Sequence, residues 1–184
     1  SPFTKYITRP DGKVREESGW PLFFVQVNKA FSNVMSSKTD YLSFETGFNH
    51  QIDFGMLGYL VYNCRFYRFV NQKAIAFPDF FHFAGNKTIV SDFRAEDFAY
   101  LDYYKYSTTR NALAIHAEYN LNRFITNKIP LIRKLKLNEV VGFHFLKVAE
   151  LKSHYELTVG LEKLGAIRAD FVCSYDGKAS PFYS

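Results

Sequence analysis

His116 and Glu118 stand two residues apart, and a period of two puts both on the same side of a β-strand. An imidazole and a carboxylate so placed make half of an acid–base pair or half of a metal site. His144 or Glu156 on neighbouring strands would complete it. A second set, Asp79 and His82, lies in a long aromatic segment and could serve a hydrolase at the rim of a barrel. No HExxH, GxSxG or phosphate-binding Gly-Lys pattern accompanies either set. A hydrogen-bonded polar network accounts for His116 and Glu118 with fewer assumptions, and polar anchoring of a packed loop accounts for Asp79 and His82. The expectation is therefore a non-enzymatic protein with no catalytic residue, no cofactor and no metal.

The elements that carry these residues read as strands. The run 111–122 sets Leu113, Ile115, Ala117, Tyr119 and Leu121 against His116, Glu118, Asn120 and Asn122. The same alternation recurs at 22–31, 41–52, 56–69, 137–147, 154–162 and 167–175. Residues 97–108 add a weaker candidate, with Tyr100, Tyr103, Tyr104 and Tyr106 on both faces. The expected class is all-β, an antiparallel meander of about eight strands. Residues 1–19 read as an irregular lead-in, 20–177 as the β domain and 178–184 as a tail. A long loop is expected at about 70–96, too rich in aromatics for disorder. Residues 53–55 and 163–166 read as tight turns, and Pro130 suits a turn or the first turn of a short helix.

Composition sharpens the problem. Of 184 residues, 20 are Phe and 13 Tyr but only one is Trp, an aromatic content of 18% that suits strands, barrel girdles or binding grooves. No uncharged apolar run is long enough for a membrane-spanning helix, but half of each barrel strand is polar, so a barrel is still allowed. The net charge of +5 is spread along the chain, and without an RNA- or DNA-binding motif it reads as solubility rather than nucleic-acid binding. Cys64 and Cys173 form no CxxC pair; both fall on the apolar faces of their strands and read as buried or lipid-facing thiols. Asn86-Lys-Thr88 fits a glycosylation acceptor.

Alternation alone leaves two environments open. In a soluble, ligand-binding β-barrel the apolar face points inward and the charged face is plain surface. In a membrane barrel the faces invert, and Glu45, Arg65, His116, Glu118, Glu156, Glu162, Arg168 and Asp170 line the lumen as a structural network. Strands of about ten residues, short turns alternating with long loops, and aromatics near strand ends favour the membrane. Phe77, Phe80, Phe81 and Phe83 are then candidates for interaction at an outer loop, or for a loop folded back into the lumen. Arg133, Lys134 and Lys136 are candidates for contact with anionic head groups or a periplasmic partner.

Three segments carry a family resemblance: Asn127-Lys-Ile-Pro-Leu-Ile-Arg-Lys-Leu-Lys-Leu-Asn-Glu-Val-Val-Gly142, Phe83-Ala-Gly-Asn-Lys-Thr88, and Val159-Gly-Leu-Glu162 with Ile167-Arg-Ala-Asp-Phe171. From about Thr39 to Gly177 the chain resembles the C-terminal region of outer-membrane proteins of unknown function that begin with a carboxypeptidase-regulatory-like domain. The resemblance implies the last strands of a transmembrane β-barrel in a bacterial outer membrane, with the lipid bilayer as partner. It implies no enzymatic activity, since the accessory domain is a β-sandwich and not a peptidase. It also implies a closing strand rich in Gly and Ile, and Gly177–Ser184 is not one, so a C-terminal fragment is expected. The expected role is a component of an envelope assembly or transport complex with protein partners, or a pore.

Overall fold

The computed structural model describes residues 6–9, 12–15, 19–32, 38–85, 97–163 and 167–177. It is all-β. Strands β1 (Tyr6–Arg9) and β2 (Gly12–Arg15) form a two-stranded sheet. The main sheet has seven antiparallel strands: β3 (Leu22–Ala30), β4 (Asp40–Asp53), β5 (Tyr59–Ala74), β6 (Ala112–Asn120), β7 (Leu137–Val148), β8 (His154–Lys163) and β9 (Ile167–Asp176). Each strand pairs with the next in the chain. β3 and β9 are the two edges and do not meet, so the sheet is open.

Alternation produces these strands. In β8, Tyr155, Leu157, Val159 and Leu161 fall on one face, and His154, Glu156, Thr158 and Gly160 on the other. The polar face is the buried one. Glu156 is 1% exposed and Thr158 2%, while Leu157 and Val159 are each 50% exposed. β7 and β9 repeat the inversion: His144 is buried, while Phe143 and Phe171 are exposed.

Register shows that the sheet bends toward the polar face. Glu118 pairs with Gly142, Gly142 with Thr158 and Thr158 with Val172. Arg168 stands on β9, four residues from Val172. In a flat sheet its Cα would lie roughly 20 Å from that of Glu118, given strand spacings of about 4.8 Å and a rise of about 3.4 Å per residue. An Arg and a Glu side chain cannot bridge that gap, yet Arg168 Nη1 is 2.8 Å from Glu118 Oε2. The face they share is therefore concave.

The structure departs from the sequence expectations in several places. Residues 97–108 are turns rather than a strand, tied to the earlier part of the same connection by the isolated bridges Phe81–Thr108 and Gly85–Phe98. Their tyrosines favour β structure but lack its period, and Tyr104 takes a left-handed backbone with φ of 60°. β5 runs on to Ala74 with a register shift opposite β4, so the long connection spans 75–111 rather than 70–96. The short hairpin of β1 and β2 replaces part of the expected irregular lead-in, because four-residue strands are too short to show a period.

Short and long connections also fail to alternate cleanly. The stretch 121–136, at the end of the sheet that carries the tight 54–58 turn, is a folded unit of 3-10 turns and the one-turn helix α1 (Pro130–Arg133). Glu139 holds it together by accepting hydrogen bonds from the backbone N–H groups of Ile125 and Thr126. The acceptor Asn86–Thr88, the link 164–166 and the tail 178–184 lie outside the described residues.

Candidate functional site

The concave face is organised in bands. One row crosses six strands in register: Asn49, Asn63, His116, His144, Glu156 and Ser174. Every member is polar, and Asn63, His116, His144 and Glu156 are buried. His116 and His144 face each other with their Nδ1 atoms 2.8 Å apart, a distance at which one ring nitrogen donates to the other. On one side of this row the face turns apolar, with Ala112, Ala114, Leu146 and Val148 buried. On the other side it carries charge over glycine.

The apolar band receives the long connection. Phe98, Leu101 and Tyr106 pack on it as one core cluster, joined by Phe83 and Tyr67. The Phe98 ring centroid lies 4.6 Å from that of His116 and 5.9 Å from that of His154, so the loop roofs the histidines. Glu156 latches it. Its Oε2 accepts from the N–H of Ala99 at 2.7 Å and its Oε1 from that of Tyr100 at 3.0 Å. His154 bridges to a second carboxylate, with Nε2 2.8 Å from Glu156 Oε1 and Nδ1 2.6 Å from Asp176 Oδ1. Asp176 in turn takes the Tyr106 hydroxyl at 3.0 Å and Lys105 Nζ at 3.0 Å. Burial raises the Tyr106 phenol pKa, and the hydrogen bond to Asp176 raises it further. The same carboxylate, through its hydrogen bond, raises that of Lys105.

The charged band is a tie between distant strands. Arg168 Nε donates to Asp170 Oδ2 at 2.7 Å, and its Nη1 to Glu118 at 2.8 Å. Glycine makes the crossing feasible. A Cβ on Gly160 would sit 1.7 Å from Asp170 Oδ1, and one on Gly142 would sit 2.3 Å from Thr158 Oγ1. Both lie on the same face as the charges, where side chains would fill the space that the Arg168 guanidinium crosses.

All eight residues expected in a polar network lie on strands of this sheet, but they form separate groups. His116 joins His144, and Glu118 joins Arg168 and Asp170. Arg65 Nη1 is 4.0 Å from Glu45 Oε1 and lies over the Phe24 ring. Glu162 stands opposite Arg168 in register. Glu156 serves the loop. Sequence reasoning missed His154, Asp176, Tyr106 and Arg168's reach over the glycines. The His154-x-Glu156 spacing was the available signal for the latch.

The loop aromatics divide. Phe81 and Phe83 turn inward onto Tyr67, with ring centroids 5.0 and 5.3 Å away. Phe77 and Phe80 cluster with His82 and Tyr104. His82 spans the loop from Ser107 Oγ to the Phe77 carbonyl, and Asp79 accepts from the Tyr41 hydroxyl. The two are thus spent on loop structure. Arg133, Lys134 and Lys136 are exposed on the 121–136 connection, beside exposed Leu131 and Leu135. Cys64 is half-buried and Cys173 exposed, and both are free thiols. Among the described residues no group of three or more His, Cys, Asp or Glu side chains is placed to hold a metal ion.

Residues 1–161 match a family described as the C-terminal domain of a family of unknown function (DUF5686). No curated protein and no solved structure matches the chain.

Proposed function

The chain belongs to this C-terminal domain family of unknown function, and on that premise we propose that it forms part of a membrane-spanning β-barrel in a bacterial outer membrane. One observation carries the reading: over much of β7 to β9 the sheet buries His144, His154, Glu156 and Thr158 and exposes Val141, Phe143, Leu157, Val159, Leu161 and Phe171. In water that arrangement forfeits the hydrophobic effect and desolvates charge at the same time. In lipid the costs reverse, because the apolar face meets acyl chains and the polar face pairs inside. The pairing of every internal strand and the exposed Leu131 and Leu135 beside Arg133, Lys134 and Lys136 fit the same setting. The carboxypeptidase-regulatory-like partner domain comes from the sequence resemblance alone.

The proposed role is non-enzymatic. The concave histidines and carboxylates are engaged with one another and with the loop, which leaves them to structure. The protein serves as a component of an envelope assembly or transport complex, or as a pore. Expression in a Gram-negative host followed by carbonate extraction tests the membrane claim. The protein should stay in the membrane pellet and need detergent to leave it. Release into buffer as a stable monomer would replace this reading with a soluble, ligand-binding barrel. Ion conduction by the purified protein in planar bilayers would favour a pore, and stable co-purification of other envelope proteins an assembly component.

A further inference from the structure

The exposed apolar face carries a feature that an undifferentiated lipid contact does not need. Near the end of the sheet from which the long connection leaves, Phe66 pairs with Leu113 and Leu113 with Lys147. Arg68 stands two residues beyond Phe66 on the same face, and Arg110 sits just before β6. Together they bound a groove of about 460 Å³ lined also by Phe66, Leu113 and Ala149. Three cations line it, Arg68, Arg110 and Lys147, and Arg110 Nε also pairs with Glu150 at 3.0 Å. Away from the cations the face continues as Ile115 beside Phe145 and Tyr155, then Ala117 beside Phe143 and Leu157. This apolar track extends roughly 13 Å over four residues of strand.

We propose that the groove binds the phosphate-bearing head group of an anionic lipid, with its acyl chains laid along that track. Charge complementarity selects the occupant. Clustered Arg and Lys recognise phosphate oxygens, and the adjoining uncharged track suits a chain attached to that phosphate. A nucleic acid would leave the track uncovered, and a free phosphate would have no use for it. The site differs from Arg133, Lys134 and Lys136, which lie at the opposite end of the sheet. It rests on the apolar face being lipid-facing.

Calorimetry or native mass spectrometry on the full chain in neutral detergent tests it, with three probes: dioleoyl phosphatidic acid, dioleoyl phosphatidylcholine and inorganic phosphate. Phosphatidic acid should bind at least about tenfold more tightly than the other two. The triple variant Arg68→Gln, Arg110→Gln, Lys147→Gln should lose affinity by roughly fivefold per cation removed. Arg68→Gln alone, at an exposed position, should lose roughly fivefold and covers the case in which the triple variant fails to fold. A double variant, Arg133→Gln with Lys134→Gln, should bind as the unmodified protein does. Equal binding of phosphatidylcholine, undiminished binding by Arg68→Gln, or inorganic phosphate matching phosphatidic acid would each overturn the proposal. Carbonate extraction separates the two claims. A protein that stays in the membrane but shows no phosphatidic acid preference sinks the site alone, and a protein released by carbonate sinks the lipid-facing reading.

Discussion

Replacing Glu156 with Ala should free the long connection from the concave face without dismantling the sheet. Glu156 is 1% exposed and accepts from two consecutive backbone N–H groups, at 2.7 and 3.0 Å, while also contacting His154. Hydrogen bonds to a charged acceptor contribute about 1.5–3 kcal/mol each, and a buried donor left alone costs about 1–3 kcal/mol. Tyr100 is exposed and can turn its N–H to water, whereas Ala99 is half-buried and cannot do so fully. The net loss is then about 2–4 kcal/mol for docking of the loop. That corresponds to roughly thirtyfold to several-hundredfold in the closed-to-open ratio.

Amide hydrogen exchange reads this ratio directly at Ala99 and Tyr100 and in the flanking segment 98–106. Exchange there should accelerate by that factor, while β6 and β7 keep their protection. Glu156→Gln should fall between, because a carboxamide keeps one acceptor oxygen and turns an N–H₂ toward the second donor. Unchanged exchange at 98–106 in Glu156→Ala would refute the latch, and loss of protection across all strands would show that Glu156 supports the sheet instead.

Arg168→Met should cost about 3–5 kcal/mol in unfolding free energy in detergent, because Glu118 and Asp170 keep their charges without a partner. The added substitutions Glu118→Gln and Asp170→Asn should recover most of it, as urea titration would show. Leu157→Arg on the exposed face should lower stability in lipid by about 2–4 kcal/mol and reduce membrane insertion, and a neutral result would contradict a lipid-facing position. The Tyr106 hydroxyl contributes below its ordinary pKa of 10.0, and with the pKa raised in the fold that contribution fades as pH climbs above this value. The difference in melting temperature between the unmodified protein and Tyr106→Phe should therefore hold below pH 10 and shrink above it.

The strands were legible where a period of two met a side-chain contrast, as in 154–162, where every second residue is apolar. The same pattern could not say which face was buried, since it is symmetric under exchange of the two environments. The 97–108 segment misled because four tyrosines raise strand propensity with no periodic face, and its fold depends on a carboxylate 57 residues from Ala99. That contact was invisible in principle. The donors are backbone N–H groups, which every residue but proline carries, so the side chains of Ala99 and Tyr100 carry no trace of it. Arg168 and Glu118 were each assigned to the polar network, but their pairing across three strand gaps depends on register and curvature. Gly142 and Gly160 share the polar face by the period of two, but the clearance they give depends on register, which sets Thr158 Oγ1 and Asp170 Oδ1 where their Cβ atoms would crowd.

Arg168 spans an arc as a chord does. Strands β6 to β9 have soft joints, since neighbouring strands can roll about their shared hydrogen bonds, and the radius of the arc is otherwise free to drift. A tie of fixed length from β9 back to β6 converts that freedom into a set curvature, in the manner of a bowstring. Shortening the tie by about one bond and replacing its fork with a single ammonium, as Arg168→Lys does, would tighten or break the arc rather than merely weaken a contact. The width of whatever space this sheet helps to enclose is thus set in part by the length of one side chain.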